Sequence, residues 1–345
     1  MGQPRPRRRQ GGHAVRVLVT GASGPLGGGV ARALVARGDD VTVLQRRPSG
    51  VDAREVRGDI TDPNAVAAAV MGSDAVVHLA AKVNVTGVWA DYERTNVHGT
   101  EVLLEACREA GVRRMVFVSS PSVAHTGSSL VGVGAGPADP EHARGHYARS
   151  KAMAEQRVLA SDERDELAVV AVRPHLVWGP GDTQLVERIG RRARAGRLPI
   201  IGSGAPLVDT VYIDNAVDAI VAALDRCDRA RGQALVVTNG EPRPIGEVLA
   251  RWAGATGAPA LSRHVPAGLA RLAGSGVDAV TALRLRLGHD LTSDPPLTRF
   301  LAEQLSTAHW FDQRMTRQLL NWSPRVSLDD GFARLRSWYA AHPLP

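Results

Sequence analysis

Lysine, cysteine and long apolar runs are scarce in this sequence, and each scarcity excludes a class of protein. Only two of the 42 basic residues are lysines, Lys82 and Lys151, so arginine carries almost every positive charge. The two cysteines, Cys107 and Cys227, lie far apart without a Cys-x-x-Cys motif, which argues against a metal site and indicates two buried thiols in a reducing compartment. No run of about twenty apolar residues occurs, so we expect no transmembrane segment and a cytoplasmic protein.

The positive charge of the chain is concentrated at its start. Residues 1–13 contain Arg5, Arg7, Arg8 and Arg9, and removing these four from the formal net charge of +7 leaves +3 for the rest. This segment is rich in glycine, proline, glutamine and arginine and has little to bury, so we predict a disordered basic tail. The remainder lacks the basic surplus of a nucleic-acid-binding protein, and no nucleic-acid partner is expected.

Residues 15–30 read as a buried strand, a glycine turn and the start of a helix. Leu26, Val30 and Leu34 give that helix one apolar face, and a second apolar strand follows at 40–44. This order is the first βαβ unit of a dinucleotide-binding fold. The predicted fold class is therefore α/β, a Rossmann-type doubly wound parallel sheet with a smaller, mostly helical C-terminal lobe that binds the substrate.

The glycine turn predicts a binding site for a dinucleotide. Gly21 can adopt the positive φ of a tight turn, Gly24 lets backbone amides approach a pyrophosphate, and Gly27 lets the helix pack closely on the strand. The N-terminus of the helix adds unpaired N–H groups and the positive end of its dipole. The predicted cofactor-binding residues of this turn are Gly21, Ser23, Gly24, Pro25, Leu26 and Gly27.

The residue that ends the second strand predicts which nicotinamide cofactor is bound. An acidic residue there hydrogen-bonds the ribose hydroxyls of NAD and repels a 2′-phosphate. Gln45 stands at this place and is followed by Arg46 and Arg47, so the pattern favours NADP(H). The alternatives are NAD(H) as the cofactor and two arginines that point into solvent.

Further along, a fourth strand at 76–81 and a long helix at 92–110 continue the fold. The strand ends in small residues that let a cofactor lie close, and His78 within it is predicted to be a packed structural histidine. The helix contains Asn96 in an Asn-Val-His-Gly-Thr segment. The predicted cofactor-binding residues at the end of this strand are Leu79, Ala80 and Ala81.

Three polar residues are predicted to meet at the carboxyl edge of the sheet. A fifth strand, 115–120, delivers Ser120 to that edge, and a long Gly-, Ser- and Pro-rich loop, 121–146, is predicted to cover the substrate. The helix that follows carries Tyr147 and Lys151 one turn apart on one face. An ammonium beside a phenol favours the phenolate, so we expect Lys151 to lower the pKa of Tyr147.

The Tyr-x-x-x-Lys pair, the serine strand and the glycine turn together resemble the extended short-chain dehydrogenase/reductase family, over essentially the whole chain after residue 13. The resemblance implies that Ser120, Tyr147 and Lys151 are catalytic and that Asn96 supports the site; a buried helical asparagine bonded to backbone is the alternative for Asn96. Lys151 is also expected to hold the nicotinamide ribose. The resemblance further implies cofactor contacts from Asp59, Ile60, Pro174 and Leu176.

Within that family, residues 119–125, 173–182 and 209–219 resemble the 3β-hydroxysteroid dehydrogenase-like branch, and within it the bacterial 2-alkyl-3-oxoalkanoate reductases of olefin biosynthesis. The resemblance implies NADP(H)-dependent reduction of a β-keto acid to the 3-hydroxy acid, and a homodimer. The alternatives are a 3β-hydroxysteroid or sterol dehydrogenase, a nucleotide-sugar epimerase or dehydratase, and a non-catalytic NADP(H)-sensing protein. Val208 stands where the epimerases usually carry a diphosphate-binding arginine, which disfavours a sugar nucleotide.

An apolar substrate with a carboxylate needs a cation or strong donors near the ketone. The candidates in the sequence are His125, Arg144, Arg149 and His175. Five further arginines are predicted to form a solvated helix face, with sugar-nucleotide binding as the alternative. They are Arg188, Arg191, Arg192, Arg194 and Arg197.

The same pattern divides the chain into three parts. After the tail, we expect a cofactor-binding domain at 14–174, to which 207–238 returns, and a substrate-binding lobe at 175–206 and 239–345. The stretch 265–287 mixes apolar residues with arginines. It is predicted to be a helix that lines an acyl pocket, with contact to a membrane surface as the alternative.

Overall fold

The computed structural model describes residues 14–83, 87–163, 166–286 and 299–344, so the predicted tail at 1–13 lies outside the described residues. The strands are β1 (Arg16–Thr20), β2 (Asp40–Gln45), β3 (Arg54–Arg57), β4 (Ala75–His78), β5 (Arg114–Val118), β6 (Leu130–Val133), β7 (Ala168–Pro174), β8 (Val177–Trp178), β9 (Ile200–Ile201), β10 (Leu207–Val208), β11 (Val211–Tyr212), β12 (Gln233–Val237), β13 (Arg243–Pro244), β14 (His264–Val265) and β15 (His309–Phe311). The helices are α1 (Pro25–Arg37), α2 (Pro63–Val70), α3 (Trp89–Tyr92), α4 (Gly99–Glu109), α5 (His146–Ala160), α6 (Val186–Arg194), α7 (Ile213–Asp225), α8 (Cys227–Ala230), α9 (Ile245–Ala255), α10 (Ala267–Arg286), α11 (Arg299–Gln304), α12 (Arg314–Leu320) and α13 (Leu328–Ala341).

Seven parallel strands form the central sheet, in the order β12-β7-β5-β4-β1-β2-β3. Val17 and Val19 of β1 pack in a core with α1 and α7, whereas Leu18 packs in a second core with α2, α4 and α5. Helices therefore cover both faces of the sheet, and the predicted doubly wound α/β fold is confirmed. Both cysteines are free and buried, and burial raises the pKa of each thiol to about 12.

The smaller lobe has its own core and a four-stranded sheet, β13-β10-β15-β6. Five short strands differ from the sequence-based expectation. β6 lies inside the predicted loop 121–146, β10 joins the lobe sheet and not the central one, and the predicted helical region after residue 239 also contains β13, β14 and β15. Each of these short strands pairs with a distant part of the chain, so local periodicity could not reveal them.

The predicted helix at 92–110 is built from three pieces. A π-helical segment, Glu93–His98, separates α3 from α4, and Gly111 ends the run with φ +67°. Such π-helical turns are rare and are enriched at functional sites. Among the described residues, no helix has both the length and the apolar character to span a membrane.

Candidate active site

The glycine turn between β1 and α1 has the geometry that a dinucleotide requires. Gly21 has φ +77°, and a Cβ there would come within 2.7 Å of the backbone nitrogen of Ala80. At Gly24 the nearest atom to an added Cβ is 3.6 Å away, so this position is open. Gly24 also provides no side-chain cap for α1, which leaves first-turn N–H groups for an anion.

A cleft of about 930 Å³ runs along the carboxyl edge of the sheet from this turn to α6. Every residue that the sequence assigned to the cofactor lines it: Gly21, Ser23, Gly24, Pro25, Leu26, Gly27, Gln45, Arg46, Arg47, Asp59, Ile60, Leu79, Ala80, Ala81, Lys151, Pro174 and Leu176. Sequence reasoning missed other lining residues, among them Leu44, Gly58, Thr95, Val118 and Ser119, although most of them adjoin residues that it named.

Two buried polar atoms on the cleft wall have no hydrogen-bond partner in the described part of the chain. They are Oε1 of Gln45 and Oγ of Ser119. Buried polar groups are normally paired, so these atoms are available to a polar ligand. Together with the open glycine turn, they fit a nicotinamide dinucleotide.

At the nucleotide end, the side chain of Gln45 is turned toward β3. Its Nε2 donates to Oε2 of Glu55 at 3.0 Å, and that same oxygen accepts hydrogen bonds from the backbone and hydroxyl of Ser49. The two bonds from Ser49, together with the hydrogen bond and charge of Arg57, lower the pKa of Glu55 to about 2. Arg46 and Arg47 are exposed and line the cleft, and Arg46 lies 3.7 Å from the carboxylate of Asp59.

Ser120 and Tyr147 meet on the wall of the cleft beside Pro174 and Leu176. Their side chains share a hydrogen bond, and Ser120 Oγ also accepts from the hydroxyl of Ser122 at 3.0 Å. Burial raises the pKa of Tyr147 to about 12, and the bond with Ser120 only partly offsets this shift. The phenol is therefore protonated throughout the physiological pH range.

Lys151 lines the same cleft as this pair, and its side chain is buried. Its Nζ donates to the backbone oxygen of Val118 at 2.7 Å and lies 3.8 Å from the centre of the Phe117 ring. Burial lowers the pKa of Lys151 to about 7, against the opposing charge of Glu155. The expectation that Lys151 lowers the pKa of Tyr147 is not met, because desolvation of the phenol dominates.

Asn96 does not line the cleft but ties two of its walls together. Its Oδ1 accepts from the backbone nitrogen of Lys82 at 2.7 Å, and its Nδ2 donates to the Lys82 carbonyl and to Ser150 Oγ. The asparagine is buried and bonded to backbone, which is the alternative that the sequence left open for it. Through Ser150 it also reaches α5, the helix that carries Tyr147.

The far end of the cleft combines apolar side chains with one cation and with the polar residues Asp182 and Gln184. Among the described residues that line this end, Arg188 is the only basic side chain, and it is half-buried. It therefore departs from the predicted solvated face, on which Arg191 pairs with Glu187 and Arg194 bonds two backbone carbonyls. The apolar lining comes from Leu176, Val177, Trp178, Leu185 and Ile213.

The four carboxylate-binding candidates named from the sequence do not line this cleft. His175 is buried and bonded to the Asp209 carbonyl, and His125 packs against His309 with 4.8 Å between ring centres. Arg144 bonds the carbonyl of Thr126, and Arg149 lies over the ring of Trp89. All four side chains therefore have structural partners elsewhere.

The helix predicted to line an acyl pocket, α10, also lies outside the cleft. Leu269, Leu272 and Val280 on this helix are exposed, and its buried Ala270 packs against a small cluster of the lobe. Position 287, at the end of the predicted stretch, is outside the described residues. The apolar lining of the cleft comes instead from β8 and from the starts of α6 and α7.

Comparisons with known proteins agree with this geometry. The model of the NAD dependent epimerase/dehydratase family matches residues 17–238. The chain is 41% identical over 339 residues to a 2-alkyl-3-oxoalkanoate reductase of Stenotrophomonas maltophilia, with 95% of this chain and 100% of that protein covered. It is 29% identical to the human sterol-4-alpha-carboxylate 3-dehydrogenase, decarboxylating, covering 93% and 87%. The solved structure of MoeE5 in complex with UDP-glucose and NAD superposes with a TM-score of 0.71 at 28% identity, covering 95% and 99%.

Proposed function

Because the chain belongs to the NAD-dependent epimerase/dehydratase family and is an oxidoreductase, we propose that it reduces a 2-alkyl-3-oxoalkanoate to the 3-hydroxy acid with NADPH. The observation that carries this proposal is the hydrogen-bonded pair of Ser120 and Tyr147 on the wall of a dinucleotide-sized cleft. A phenol that stays protonated suits reduction, since reduction consumes a proton at the ketone oxygen.

In this proposal a bound NADPH supplies the hydride to the ketone carbon. Ser120 and Tyr147 donate hydrogen bonds to the ketone oxygen and stabilise the negative charge that develops there. Tyr147 then transfers its proton to that oxygen, and the product is the alcohol. Lys151, whose side chain is buried in the wall of the same cleft, helps to hold the nicotinamide ribose.

The preference for NADPH follows from the charges around the end of β2. The nearest acidic side chain on β3, Glu55, already accepts bonds from Gln45, Ser49 and Arg57 and is neutralised by that arginine. Arg46 and Arg47 are exposed at the cleft and can pair with a 2′-phosphate. NADH lacks that phosphate, so it gains nothing from the two arginines.

The substrate class follows from the far end of the cleft. Its apolar wall suits alkyl chains, and we assign Arg188 to the carboxylate of the oxo acid. Val208 is buried in the lobe sheet, so this position cannot supply the diphosphate-binding arginine of a sugar-nucleotide enzyme. The reductase of Stenotrophomonas maltophilia, at 41% identity, supports the same substrate class.

A second candidate is the oxidation of a sterol that carries a carboxylate beside its alcohol. The named activity of the human relative supports it, and an apolar wall with one arginine would suit such a substrate as well. The raised pKa of Tyr147 favours the reductase, because oxidation needs the phenolate as a base.

The test of the proposed function is the variant Tyr147→Phe. We expect turnover of the oxo acid to fall by about 10²- to 10⁴-fold, the usual contribution of a general acid, while the Kd for NADPH stays unchanged. Tyr339→Phe, in the core of the lobe, is the matched control and should keep its kcat. Turnover that survives Tyr147→Phe would remove the assigned proton donor, and a wild-type chain that binds NADPH without turnover would indicate a sensing protein.

A further inference from the structure

A chain of buried polar side chains joins the strand that begins the glycine turn to the first turn of α5. Each member is at most 1% exposed, and in order they are Thr20, His78, Thr100, Asn96 and Ser150. Polar groups at this depth are costly unless each donor and acceptor is matched. The sequence had predicted only that His78 is a packed structural histidine.

The hydrogen bonds of His78 allow one neutral tautomer. Thr100 Oγ1 donates its one hydrogen bond to the backbone oxygen of Asn96 at 2.6 Å. It can therefore only accept a hydrogen bond from His78 Nε2, which lies 3.1 Å away. In a neutral ring the other nitrogen, Nδ1, is then an acceptor, and it accepts a hydrogen bond from the Thr20 hydroxyl at 2.7 Å. Burial lowers the pKa of His78 to about 3, with the charge of Lys151 acting in the same direction, so the ring is neutral.

One end of this chain holds the cofactor-binding edge of the sheet. Thr20 Oγ1 accepts the backbone N–H groups of Leu79 and Ala80 at 3.2 and 3.0 Å. Both residues line the cleft, and Ala80 lies directly against Gly21. The hydroxyl that bonds His78 therefore also fixes the backbone on which a dinucleotide would lie.

The other end of the chain reaches the tyrosine. Asn96 Nδ2 donates to Ser150 Oγ at 2.9 Å, and Ser150 Oγ donates to the backbone oxygen of Tyr147 at 2.9 Å. The Thr100 hydroxyl donates to the Asn96 carbonyl, which belongs to the π-helical segment. The chain therefore passes through Asn96 itself, whose backbone carbonyl bonds Thr100 and whose side-chain amide bonds Ser150, and it links β1 to the turn that carries Tyr147.

We propose that His78 is a positioning residue of the reduction, a neutral link that fixes the cofactor-binding edge of the sheet relative to the turn that carries Tyr147. This inference rests on the proposed function. His78 does not line the cleft, so it acts through Thr20 and Thr100 and not on the reacting atoms. An apolar side chain would fill the same space but leave both hydroxyls without their partner.

The two ends of the link can be broken separately. His78→Asn keeps an acceptor near Nδ1 for Thr20 but is too short to reach Thr100, and Thr100→Val removes the same bond from the other side. We expect each to lower kcat by about tenfold with the KM for NADPH within about twofold of wild type, since only the placement of Tyr147 changes. His78→Leu loses both ends and should also raise the KM for NADPH by about tenfold.

Leu103→Ala is the matched control for a purely structural effect. Leu103 is buried in α4, the helix that carries Thr100, and takes no part in the polar chain. It should lower Tm while kcat stays at the wild-type value. Wild-type kcat in His78→Asn and Thr100→Val, or a loss of kcat that Leu103→Ala shares at equal Tm, would overturn the inference. A wild-type enzyme that reduces no ketone would overturn the proposed function itself, before any variant is compared.

Discussion

Burial shifts the pKa values of two side chains that line the cleft, Tyr147 and Lys151. It raises the pKa of Tyr147 to about 12 and lowers the pKa of Lys151 to about 7. The phenol therefore holds its proton at neutral pH, while the lysine is poised between its two states. The raised pKa of Tyr147 suits an acid that must deliver one proton per turnover. The lowered pKa of Lys151 suits a cation whose charge responds to its surroundings.

Arg188 provides a test of substrate class at the scale of one side chain. In Arg188→Met we expect the KM for a 2-alkyl-3-oxo acid to rise by about 10- to 100-fold, the range of a lost charge-assisted hydrogen bond, with kcat little changed. The methyl ester of the same acid has no charge to pair, so its kinetics should not respond. Steady-state kinetics on acid and ester measure both effects.

The control for this experiment is Arg191→Met, three residues further along α6. Arg191 is exposed and pairs with Glu187, so its loss should leave both substrates unaffected. An equal loss on acid and ester in Arg188→Met would mean that the arginine shapes the cleft without binding the carboxylate.

Residues that form a local motif were predictable, whereas those that depend on docking between elements were not. Tyr147 and Lys151 are one helical turn apart, and the glycine turn is contiguous, so the sequence predicts both once they are considered together with the serine strand. Arg188 belongs to a run of arginines that resembles a solvated face, and only the packing of α6 across the cleft separates it from Arg191. The four candidates for binding the substrate carboxylate lie outside the cleft, and this too depends on packing between elements.

At the scale of elements, a buried ion pair joins α5 to β7 one turn beyond Lys151. Arg173 donates through Nε to Oε2 of Glu155 at 2.9 Å, and both side chains are at most 1% exposed. The same guanidinium donates to the carbonyls of Ala135 and Gly136, at 3.1 Å for Gly136. The pair therefore also fastens the segment between Ser120 and Tyr147 to the sheet.

Glu155→Gln should destabilise the protein by about 3–5 kcal/mol, because it leaves the Arg173 charge buried without a counter-ion. Glu101→Gln, which removes a partly exposed partner of Arg157, should cost less than about 1 kcal/mol. The free energy of unfolding in urea measures both losses. Similar losses of unfolding free energy in the two variants would show that the buried pair stabilises the protein no more than the exposed pair does.

The elements of the central sheet were predictable because each strand and helix carries its own periodicity. β6 was not, since four residues in a glycine-rich stretch become a strand only through pairing with β15, far along the chain. The π-helical segment was not predictable either, because its sequence suits an ordinary helix. Asn96 and Thr100 bond Lys82, Ser150 and His78 on other parts of the chain, and local sequence carries no signal of these contacts.

For the molecule as a whole, buried neutral histidines predict sensitivity to acid. Burial lowers the pKa of His78, His175 and His309 to about 3, 4 and 3, so the unfolded chain binds protons near pH 6.5 that the folded chain refuses. Each should cost about 2 kcal/mol of stability between pH 7 and pH 5. Asp209, whose pKa burial raises to about 6, acts in the opposite direction, and so do Asp182 and Asp218, whose carboxyl pKa values burial also raises.

Urea unfolding at pH 7 and pH 5 measures this effect, and the free energy of unfolding should be clearly lower at pH 5. His309→Gln should reduce the difference, whereas His142→Gln, at an exposed position, should leave it unchanged. Equal stability at the two pH values would contradict the assignment of neutral buried rings.

The central claim, reduction of a 2-alkyl-3-oxo acid with NADPH, is tested most directly by cofactor consumption with three ketones. The panel contains a 2-alkyl-3-oxo acid, a 3-ketosteroid and a UDP-hexose 4-ketone, each with NADPH and with NADH. The account predicts selective turnover of the oxo acid and a higher kcat/KM with NADPH. Selective turnover of the steroid or the sugar nucleotide would contradict the assignment of the far end of the cleft, and a preference for NADH would contradict the role given to Arg46 and Arg47.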